Sequence, residues 1–288
     1  MFFIFGSSGF IGKRLKERLI KQFGNNLVDY VGKKYKNKIV DLSKNNIFKE
    51  LPIRPYNNVY ILAAKSNFIF NNKKEERSQI HENIAIVKNI IEFCKICKVR
   101  RVFFISSSSV YSNKNSSPFH EKQKIKPNNS LGTSKYSSEK ILKKAFHKLK
   151  TKVVILRVFT VYGNNMRKKQ FLYQAIKKFK SNKKTLTFWN KDTLRNFVHL
   201  DDLTNILINL SRIETPKFTI YNIASNKSHK IETIIDHLQD LSGKQKKIIF
   251  KDSRNNLNHI VNTNKIKKKL NVSFKDLKKE LIEIYEAF

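Results

Sequence analysis

Apolar and polar positions alternate in short blocks along the first half of the chain, and the period of the pattern changes between blocks. Short apolar runs predict strands at Phe2–Phe5, Leu27–Val31, Val59–Leu62, Val102–Ile105 and Val153–Val158. Between the runs, apolar positions recur every three or four residues, which predicts helices at Ile11–Phe23, 76–98 and Gly132–Lys150. Strands that alternate with helices imply right-handed crossovers and a parallel sheet. The pattern therefore predicts an α/β fold.

A glycine-rich turn joins the first predicted strand to the first predicted helix. Its sequence is Gly6-Ser-Ser-Gly9-Phe-Ile-Gly12, which places a glycine at every third position. Such a turn lets the backbone approach a pyrophosphate closely, and the helix that follows presents amides and the positive end of its dipole. Because it lies directly after a strand and before an amphipathic helix, the turn predicts a dinucleotide site.

The dinucleotide turn refines the fold class to a Rossmann-type doubly wound parallel sheet with a smaller C-terminal substrate-binding region. Residues 1–165 are the expected dinucleotide-binding domain. After about residue 165 the pattern loosens and basic segments dominate, so residues 166–288 are expected mostly to bind substrate. A returning segment at about 195–225 is expected to pack on the Rossmann domain. Ligands of open α/β sheets bind at the carboxyl edge of the strands, where the C-terminal region is expected to lie.

The end of the second predicted strand bears on the choice of cofactor. An acidic residue that binds the ribose of NAD usually stands there, whereas this chain has Gly32-Lys33-Lys34. Lys33 or Lys34 would instead receive a 2′-phosphate, which slightly favours NADP. Alternatively, both lysines are part of the general lysine excess, and NAD is the cofactor.

The chain is strongly basic: 59 Lys and Arg against 22 Asp and Glu give a net charge of +37 over 288 residues. Such a charge attracts nucleic acid, anionic membranes or phosphorylated substrates. The excess is spread along the whole chain, which favours a compositional bias over a specific nucleic-acid site. No apolar run approaches the ~18–20 residues of a membrane span, so no membrane partner is expected.

The cysteine content indicates the compartment. Cys94 and Cys97 are the only two cysteines, which excludes a disulfide scaffold and favours a reducing compartment, the cytoplasm. Both fall within a helical pattern and no second pair exists, so we expect them to be structural. No metal site is expected.

Further segments occur in a fixed order along the chain. They are Asp41-Leu42, Leu62-Ala63-Ala64, Asn83, Ser106-Ser-Ser-Ser-Val-Tyr111, Gly132-Thr-Ser-Lys135 with Glu139, Leu156-Arg-Val-Phe-Thr-Val-Tyr-Gly163, Arg195-Asn-Phe-Val-His-Leu-Asp-Asp202 and Tyr221-Asn-Ile-Ala224. Together with the glycine turn, they resemble the extended short-chain dehydrogenase/reductases, specifically the NAD-dependent epimerase/dehydratase family acting on nucleotide sugars. The resemblance runs from residue 2 to about residue 230.

The resemblance implies a set of cofactor-binding positions. Those that would hold the pyrophosphate are Gly6, Gly9, Phe10, Ile11 and Gly12. The others are Asp41 and Leu42 beside the adenine, Ala63 and Ala64 along the pyrophosphate and ribose, Asn83 on the long helix, and Lys135 at the nicotinamide ribose.

The resemblance also implies catalytic and substrate-binding positions. Ser107 matches the catalytic serine or threonine of the family. Lys135 matches a lysine whose charge lowers the pKa of a catalytic tyrosine. The substrate-contact positions would be Phe159 and Thr160, with Arg195 facing the diphosphate of the substrate, a task that suits a guanidinium group.

The chain departs from the family at the catalytic tyrosine, since the residue four before Lys135 is Leu131. Leucine cannot exchange a proton, so another group, such as Tyr111 or Tyr136, is needed for that step. Tyr136 also stands four residues before a lysine, Lys140. At 100° per residue, however, Lys135 lies about 40° from Leu131 on an apolar stripe that continues to Leu149, whereas Tyr136 lies about 140° away on the outward face. Helix geometry thus favours the register that contains Leu131.

The sequence predicts an NAD(P)-dependent nucleotide-sugar epimerase or reductase that works by hydride transfer. Dehydration is less expected, because Ser108-Ser109 stand where sugar 4,6-dehydratases carry Asp-Glu. The alternative is a catalytically retired protein of this fold that binds dinucleotide or nucleic acid without turnover. The expected partners are a nucleotide sugar and a second copy of the chain, paired through the two long helices.

Overall fold

A computed structural model describes residues 1–35, 38–44, 50–67, 70–112, 117–252 and 258–288 of the chain. Its strands are β1 Phe2–Phe5, β2 Val28–Val31, β3 Lys34–Tyr35, β4 Lys38–Ile39, β5 Asn58–Ile61, β6 Arg101–Ser107, β7 Lys152–Val158, β8 Thr160–Tyr162, β9 Thr185–Trp189, β10 Leu194–His199, β11 Phe218–Ile223, β12 Ser228–Lys230 and β13 Lys247–Lys251. Its helices are α1 Phe10–Phe23, α2 Lys73–Ile96, α3 Ser130–Phe146, α4 Phe171–Lys180, α5 Leu200–Arg212, α6 Ile231–Ser242, α7 Asn264–Leu270 and α8 Leu277–Glu286.

The largest sheet among the described residues has six strands in the order β2-β1-β5-β6-β7-β11. The pairs from β2 to β7 are parallel, as helical crossovers require. The order of the strands reverses between β1 and β5, and this switch point is where open α/β sheets bind ligands. The predicted α/β class and doubly wound parallel sheet are confirmed.

Aromatic packing fills the space between the sheet and α2. All four residues of β1 and all four of β5 are buried, because a parallel sheet is covered on both faces. The Phe93 ring of α2 lies 4.9 Å from that of Phe3 and 5.2 Å from that of Phe5, centroid to centroid. These contacts fix α2 against the strands at the switch point.

The five predicted strands and three predicted helices are all present, and their ends differ by a few residues. Helix α2 begins at Lys73, where the Asn72 side chain accepts a hydrogen bond from the Glu75 amide and caps the helix. Helix α3 ends at Phe146, four residues before the predicted end. Its apolar stripe stops there, and Leu149, expected on the stripe, is 38 % exposed, since it has no core to pack against.

The described chain divides into two compact units. The first comprises Met1–Asn115, Glu121–Val158 and Thr204–Tyr221; the second comprises Ser116–His120, Phe159–Leu203 and Asn222–Phe288. In the second, β8, β10 and β12 form a three-stranded sheet, and β9 pairs with β13. The roles that the sequence assigns to residues 1–165 and 166–288 stay predictions. Over the described residues, no helix is long and apolar enough to cross a membrane.

Candidate functional site

The glycine turn after β1 is folded tightly against its neighbours. Gly6 has a φ of +93°, and a Cβ there would lie 2.7 Å from the amide nitrogen of Ala63. A Cβ on Gly12 would lie 2.1 Å from the carbonyl oxygen of Gly6. Both distances are far below van der Waals contact, so the fold itself requires glycine at these two positions.

Gly9 differs from the other two glycines. It is exposed and has a φ of −77°, which any residue adopts, and a Cβ there would meet only the Gly6 carbonyl oxygen, at 3.3 Å. As the N-cap of α1, it has no side chain to bond the first amides of the helix, which Phe10, Ile11 and Gly12 contribute. The absence of a side chain at Gly9 therefore leaves the helix N-terminus open to an anion.

The segment after β5 is held to α2 by two side-chain amides. Asn83 accepts a hydrogen bond from the Lys65 amide (2.8 Å) and donates one to the Lys65 carbonyl (2.9 Å). Gln79, one turn earlier, makes the same two bonds to Asn67, at 2.8 and 3.2 Å. Asn83 thus supports the backbone that carries the predicted cofactor residues Ala63 and Ala64, which are half-buried. Sequence analysis missed Gln79; its place four residues before Asn83 was the available signal.

The predicted adenine positions divide into one exposed residue and one core residue. Asp41 is exposed, and hydrogen bonds from the Ser43 hydroxyl and amide lower the pKa of its carboxyl. Leu42 is buried in the hydrophobic core. After β2, Lys33 and Lys34 are both exposed, and the Lys33 amide donates to the Ser8 hydroxyl of the glycine turn (3.1 Å). The lysines therefore lie next to that turn.

Ser107 ends β6 and begins a single 3-10 turn, Ser108–Val110. Its hydroxyl accepts from the Ser109 amide and donates to the Ser109 hydroxyl, both at 3.1 Å. The residue is half-buried at the carboxyl end of a central strand. A hydroxyl in this position can meet a substrate that lies at the sheet edge.

Lys135 and Leu131 lie on the inward face of α3. The Lys135 side chain is buried, and its Nζ donates to the carbonyl of Ile105 (2.7 Å), two residues before Ser107. Leu131 is 5 % exposed, in the first turn of the helix. Lys135 and Ser107 are therefore brought to the same strand end, with leucine at the position that the family resemblance assigns to a catalytic tyrosine.

The alternative tyrosine–lysine pair, Tyr136 and Lys140, lies on the outward face of α3. Lys140 is exposed, and its ammonium lies 4.9 Å above the ring of the half-buried Tyr136. Tyr111, the other candidate proton donor, is fully buried, and its hydroxyl accepts a hydrogen bond from Arg157 (3.1 Å). These contacts favour neither tyrosine as a replacement for the missing one.

The predicted substrate residues lie in the second unit. Thr160 on β8 and Arg195 on β10 line a cavity of about 380 Å³, together with Phe171, Lys178 and Trp189. Burial lowers the pKa of the Arg195 guanidinium. A half-buried cation beside aromatic rings suits a ligand that is both aromatic and anionic.

Next to these residues lies a histidine that sequence analysis missed. The His259 ring contacts Phe119 and Phe159, each with a centroid distance of 6.2 Å. Burial and the charge of Arg195 lower the pKa of His259 to about 3, so its ring is neutral at pH 7. Phe159 itself is buried. The sequence has seven histidines scattered along it, and no pattern distinguishes His259 from the other six.

Comparison with known protein families identifies the architecture. Residues 2–224 match the NAD-dependent epimerase/dehydratase family. The chain belongs to this family. The match covers the glycine turn, Ser107 and Lys135, and it confirms the predicted resemblance and the predicted class, an NAD-dependent enzyme.

Individual proteins are similar along nearly the whole chain. The uncharacterized UDP-glucose epimerase YtcB of Bacillus subtilis is 24% identical over 266 residues, which are 86% of this chain and 84% of that protein. The structure of MoeE5 in complex with UDP-glucose and NAD has a TM-score of 0.86 at 20% identity and covers 99% of this chain and 97% of that one. RMD from Pseudomonas aeruginosa, complexed with NADPH, has a TM-score of 0.85 at 18% identity and covers 99% and 98%. At such identities, the structural likeness shows the fold alone.

Proposed function

We propose that this chain is an NAD(P)-dependent nucleotide-sugar epimerase or reductase. The observation that carries the proposal is the group of functional residues at one sheet edge: a glycine turn open at Gly9, with Ser107 and Lys135 at the end of β6. The names of the relatives point to nucleotide sugars, among them UDP-glucose and UDP-glucuronate.

The residues around the glycine turn fit a dinucleotide. Gly9 is a glycine although its backbone conformation does not require one, and the α1 N-terminus behind it offers amides to a pyrophosphate. Ala63 and Ala64 would line the neighbouring side, and Lys135 would meet the nicotinamide ribose. When bound, the nicotinamide supplies a hydride acceptor and donor for a carbon of the sugar.

The side chains of β6 and α3 would act on the sugar hydroxyl that is oxidised. Ser107 would donate a hydrogen bond to that oxygen, and the Lys135 ammonium would stabilise negative charge that develops there. Leu131 contributes packing and no proton. The proton must therefore leave through another group, which we assign to a water molecule or a substrate hydroxyl.

The second unit would bind the nucleotide part of the substrate. Arg195 would pair with the diphosphate, because a guanidinium forms two parallel bonds to phosphate oxygens. Trp189, half of whose surface is exposed (50%), would stack against the base at the cavity mouth. Thr160 and Phe159 would contact the sugar, as the family resemblance implies.

The two lysines after β2, Lys33 and Lys34, bear on the choice of cofactor. We propose a slight preference for NADP over NAD, because the exposed Lys33 and Lys34 follow β2 where a 2′-phosphate would be read. The described carboxylates after this strand begin only at Asp41.

We also propose a cytoplasmic homodimer. Cys94 and Cys97 are both free and buried, and burial raises the pKa of each thiol, as suits structural cysteines in a reducing compartment. Ile80 and Ile84 lie one turn apart on α2 and are half-buried, although both are apolar. Pairing through α2 and α3 would cover them. We assign no specific role in nucleic-acid binding to the +37 charge.

A turnover assay on a panel of UDP-, GDP- and dTDP-sugars tests the proposed reaction. We expect wild-type protein with NAD or NADP to epimerise or reduce at least one of them, detected by separating substrate and product. Gentle purification followed by mass spectrometry should identify a retained dinucleotide. Binding of dinucleotide without turnover of any sugar would instead favour the retired protein.

Isothermal titration with NAD and NADP tests the cofactor site. Gly9→Val should abolish binding of both dinucleotides, because the side chain would occupy the approach of the pyrophosphate, and its thermal unfolding should match wild type. Wild type should bind NADP more tightly than NAD, and Lys33→Ala with Lys34→Ala should remove the difference. Unchanged affinity in Gly9→Val would place the dinucleotide elsewhere.

A further inference from the structure

A buried ion pair lies beneath the strand end that carries Ser107. Arg157 on β7 donates to both carboxylate oxygens of Glu139 on α3, from Nε at 3.1 Å and from Nη2 at 2.7 Å. Each side chain is only 3% exposed. The Ser106 hydroxyl donates to the same carboxylate (2.5 Å), and Arg157 donates to the Tyr111 hydroxyl (3.1 Å). One network thus joins β6, β7, α3 and the 3-10 turn.

All three guanidinium nitrogens of Arg157 and both carboxylate oxygens of Glu139 have hydrogen-bond partners. Burying two charges costs solvation free energy even when they are paired in this way. Burial opposes the charge of Arg157, but hydrogen bonds and the charge of Glu139 raise its pKa above the ordinary value, so it stays a cation. A buried ion pair contributes little net stability compared with apolar residues of the same volume. Stability alone is therefore a weak reason for this pair.

The inward face of α3 contacts β6 and its turn at three levels. At the first, a Cβ on Gly132 would lie 1.9 Å from the Ser109 carbonyl oxygen, so the backbones almost touch. At the second, Lys135 donates to the Ile105 carbonyl. At the third, the Glu139 carboxylate accepts a hydrogen bond from the Ser106 hydroxyl. The spacing of three and four residues places all three contacts on one helix face.

We propose that Glu139 and Arg157 are positioning residues that fix α3 against the end of β6, so that Lys135 and Ser107 keep the geometry that turnover needs. Glu139 acts one helical turn beyond Lys135, and its other partner, Ser106, directly precedes Ser107. Arg157 extends the link to Tyr111 at the end of the 3-10 turn. The pair acts through these neighbours and needs no contact with substrate. This proposal rests on the proposed function for its kinetic part only.

The test replaces both charges together, in Glu139→Leu with Arg157→Met. Because both charges are removed together, no buried charge is left unpaired, and the groups that lose a partner are uncharged, among them the Ser106 and Tyr111 hydroxyls. The double variant should therefore fold and unfold somewhat below the wild-type temperature. Its kcat should still fall by about 10²-fold, as expected for a small misplacement of reacting groups, while KM changes less than about threefold. Competitive labelling of lysines with acetic anhydride, read by mass spectrometry, should show Lys135 reacting faster relative to the exposed Lys140.

Arg101→Lys is the matched control. Arg101 is a buried arginine at the opposite end of β6 from Ser107, where it donates to the Leu210 carbonyl (2.7 Å). Its replacement should leave kcat and the labelling of Lys135 unchanged. Arg157→Lys keeps a cation beside Glu139 but loses the forked geometry of the guanidinium. It tests the same positioning role if the double variant does not fold. It should lower kcat and raise Lys135 labelling to a smaller extent.

The outcomes separate the two proposals. Wild-type kcat and wild-type Lys135 labelling in a folded double variant, or in Arg157→Lys, would overturn the positioning role and leave a structural pair. Absence of turnover in the wild type would refute the proposed function instead. The labelling arm would still decide the positioning role, since it uses the protein alone.

Discussion

The two faces of α3 carry the same spacing of residues and have opposite surroundings. On the inward face, Leu131 and Lys135 are buried, and the lysine is bonded to the backbone of β6. On the outward face, Lys140 is exposed and lies over the ring of Tyr136. The motif of a tyrosine four residues before a lysine is complete only on the outward face. A tyrosine–lysine motif can act on a substrate only where the fold places it, and the amino-acid spacing alone does not specify that place.

The physical difference lies in how far a charge acts. A buried ammonium is poorly screened, so it shifts the pKa of a neighbouring phenol strongly. An exposed ammonium is surrounded by water and salt, which weaken the same interaction. Three substitutions on α3 test whether the two faces of the helix differ in this way.

The largest effect is expected at Leu131. A tyrosine there would share the inward face with Lys135, whose charge lowers the pKa of the phenol from its unperturbed value of ~10. Leu131→Tyr should therefore raise turnover of a nucleotide sugar by about 10²–10⁴-fold, the contribution of a positioned acid and base. The measurement is kcat on the panel of UDP-, GDP- and dTDP-sugars.

Two other results at Leu131 are informative. No gain in Leu131→Tyr, with dinucleotide still bound, would indicate a pocket that no longer performs the reaction. A substantial wild-type activity that the tyrosine abolishes would show that the leucine shapes the substrate site. Either result would contradict the view that only the proton-exchanging group is missing from the inward face.

A smaller effect, on stability, is expected at Gly132. Alanine there would put a methyl group 1.9 Å from the Ser109 carbonyl oxygen, and this backbone atom has no rotamer with which to withdraw. Gly132→Ala should lower the free energy of unfolding by about 3 kcal/mol, measured by urea denaturation. Ser137→Ala, on the half-buried side of the helix, is the control and should change it by less than about 0.5 kcal/mol. Equal effects would mean that α3 can move away from the turn at little cost.

The smallest effect is expected on the outward face. Tyr136→Phe removes only the hydroxyl and keeps the ring that Lys140 covers. Turnover and thermal stability should stay within about twofold and about 0.5 kcal/mol of wild type. Loss of turnover in this variant with an intact fold would restore the outward pair as the catalytic one.

Periodicity alone predicted the elements that build the sheet edge. The run Phe2–Phe5 is a strand because four consecutive apolar residues can be buried on both faces of a parallel sheet. The angle between Leu131 and Lys135 placed both on the buried face, as the structure has them. The prediction that Leu149 lies on the same buried stripe was wrong, because the angle of a residue around a helix does not tell where the core ends.

The residues that support the site could not be predicted in the same way. Gln79 bonds the backbone of Asn67, and such a bond depends on the path of a loop, for which no periodicity exists. His259 meets Phe159 only through tertiary packing across a separation of 100 positions. The family segments contain both Glu139 and Arg157, but the pairing of the two, between α3 and β7, became evident only from the fold.

The side-chain amides of Asn83 and Gln79 should give the backbone after β5 a distinctive pattern of hydrogen exchange. Backbone amides in a sheet exchange with solvent when strands separate, which exposes many hydrogen bonds together. The amides of Lys65 and Asn67 are instead bonded to the side chains of Asn83 and Gln79. A single rotamer change releases each of them, so their protons would exchange through small independent openings while the sheet beneath stays closed. We therefore expect this part of the sheet edge to open one residue at a time while the strand order is kept.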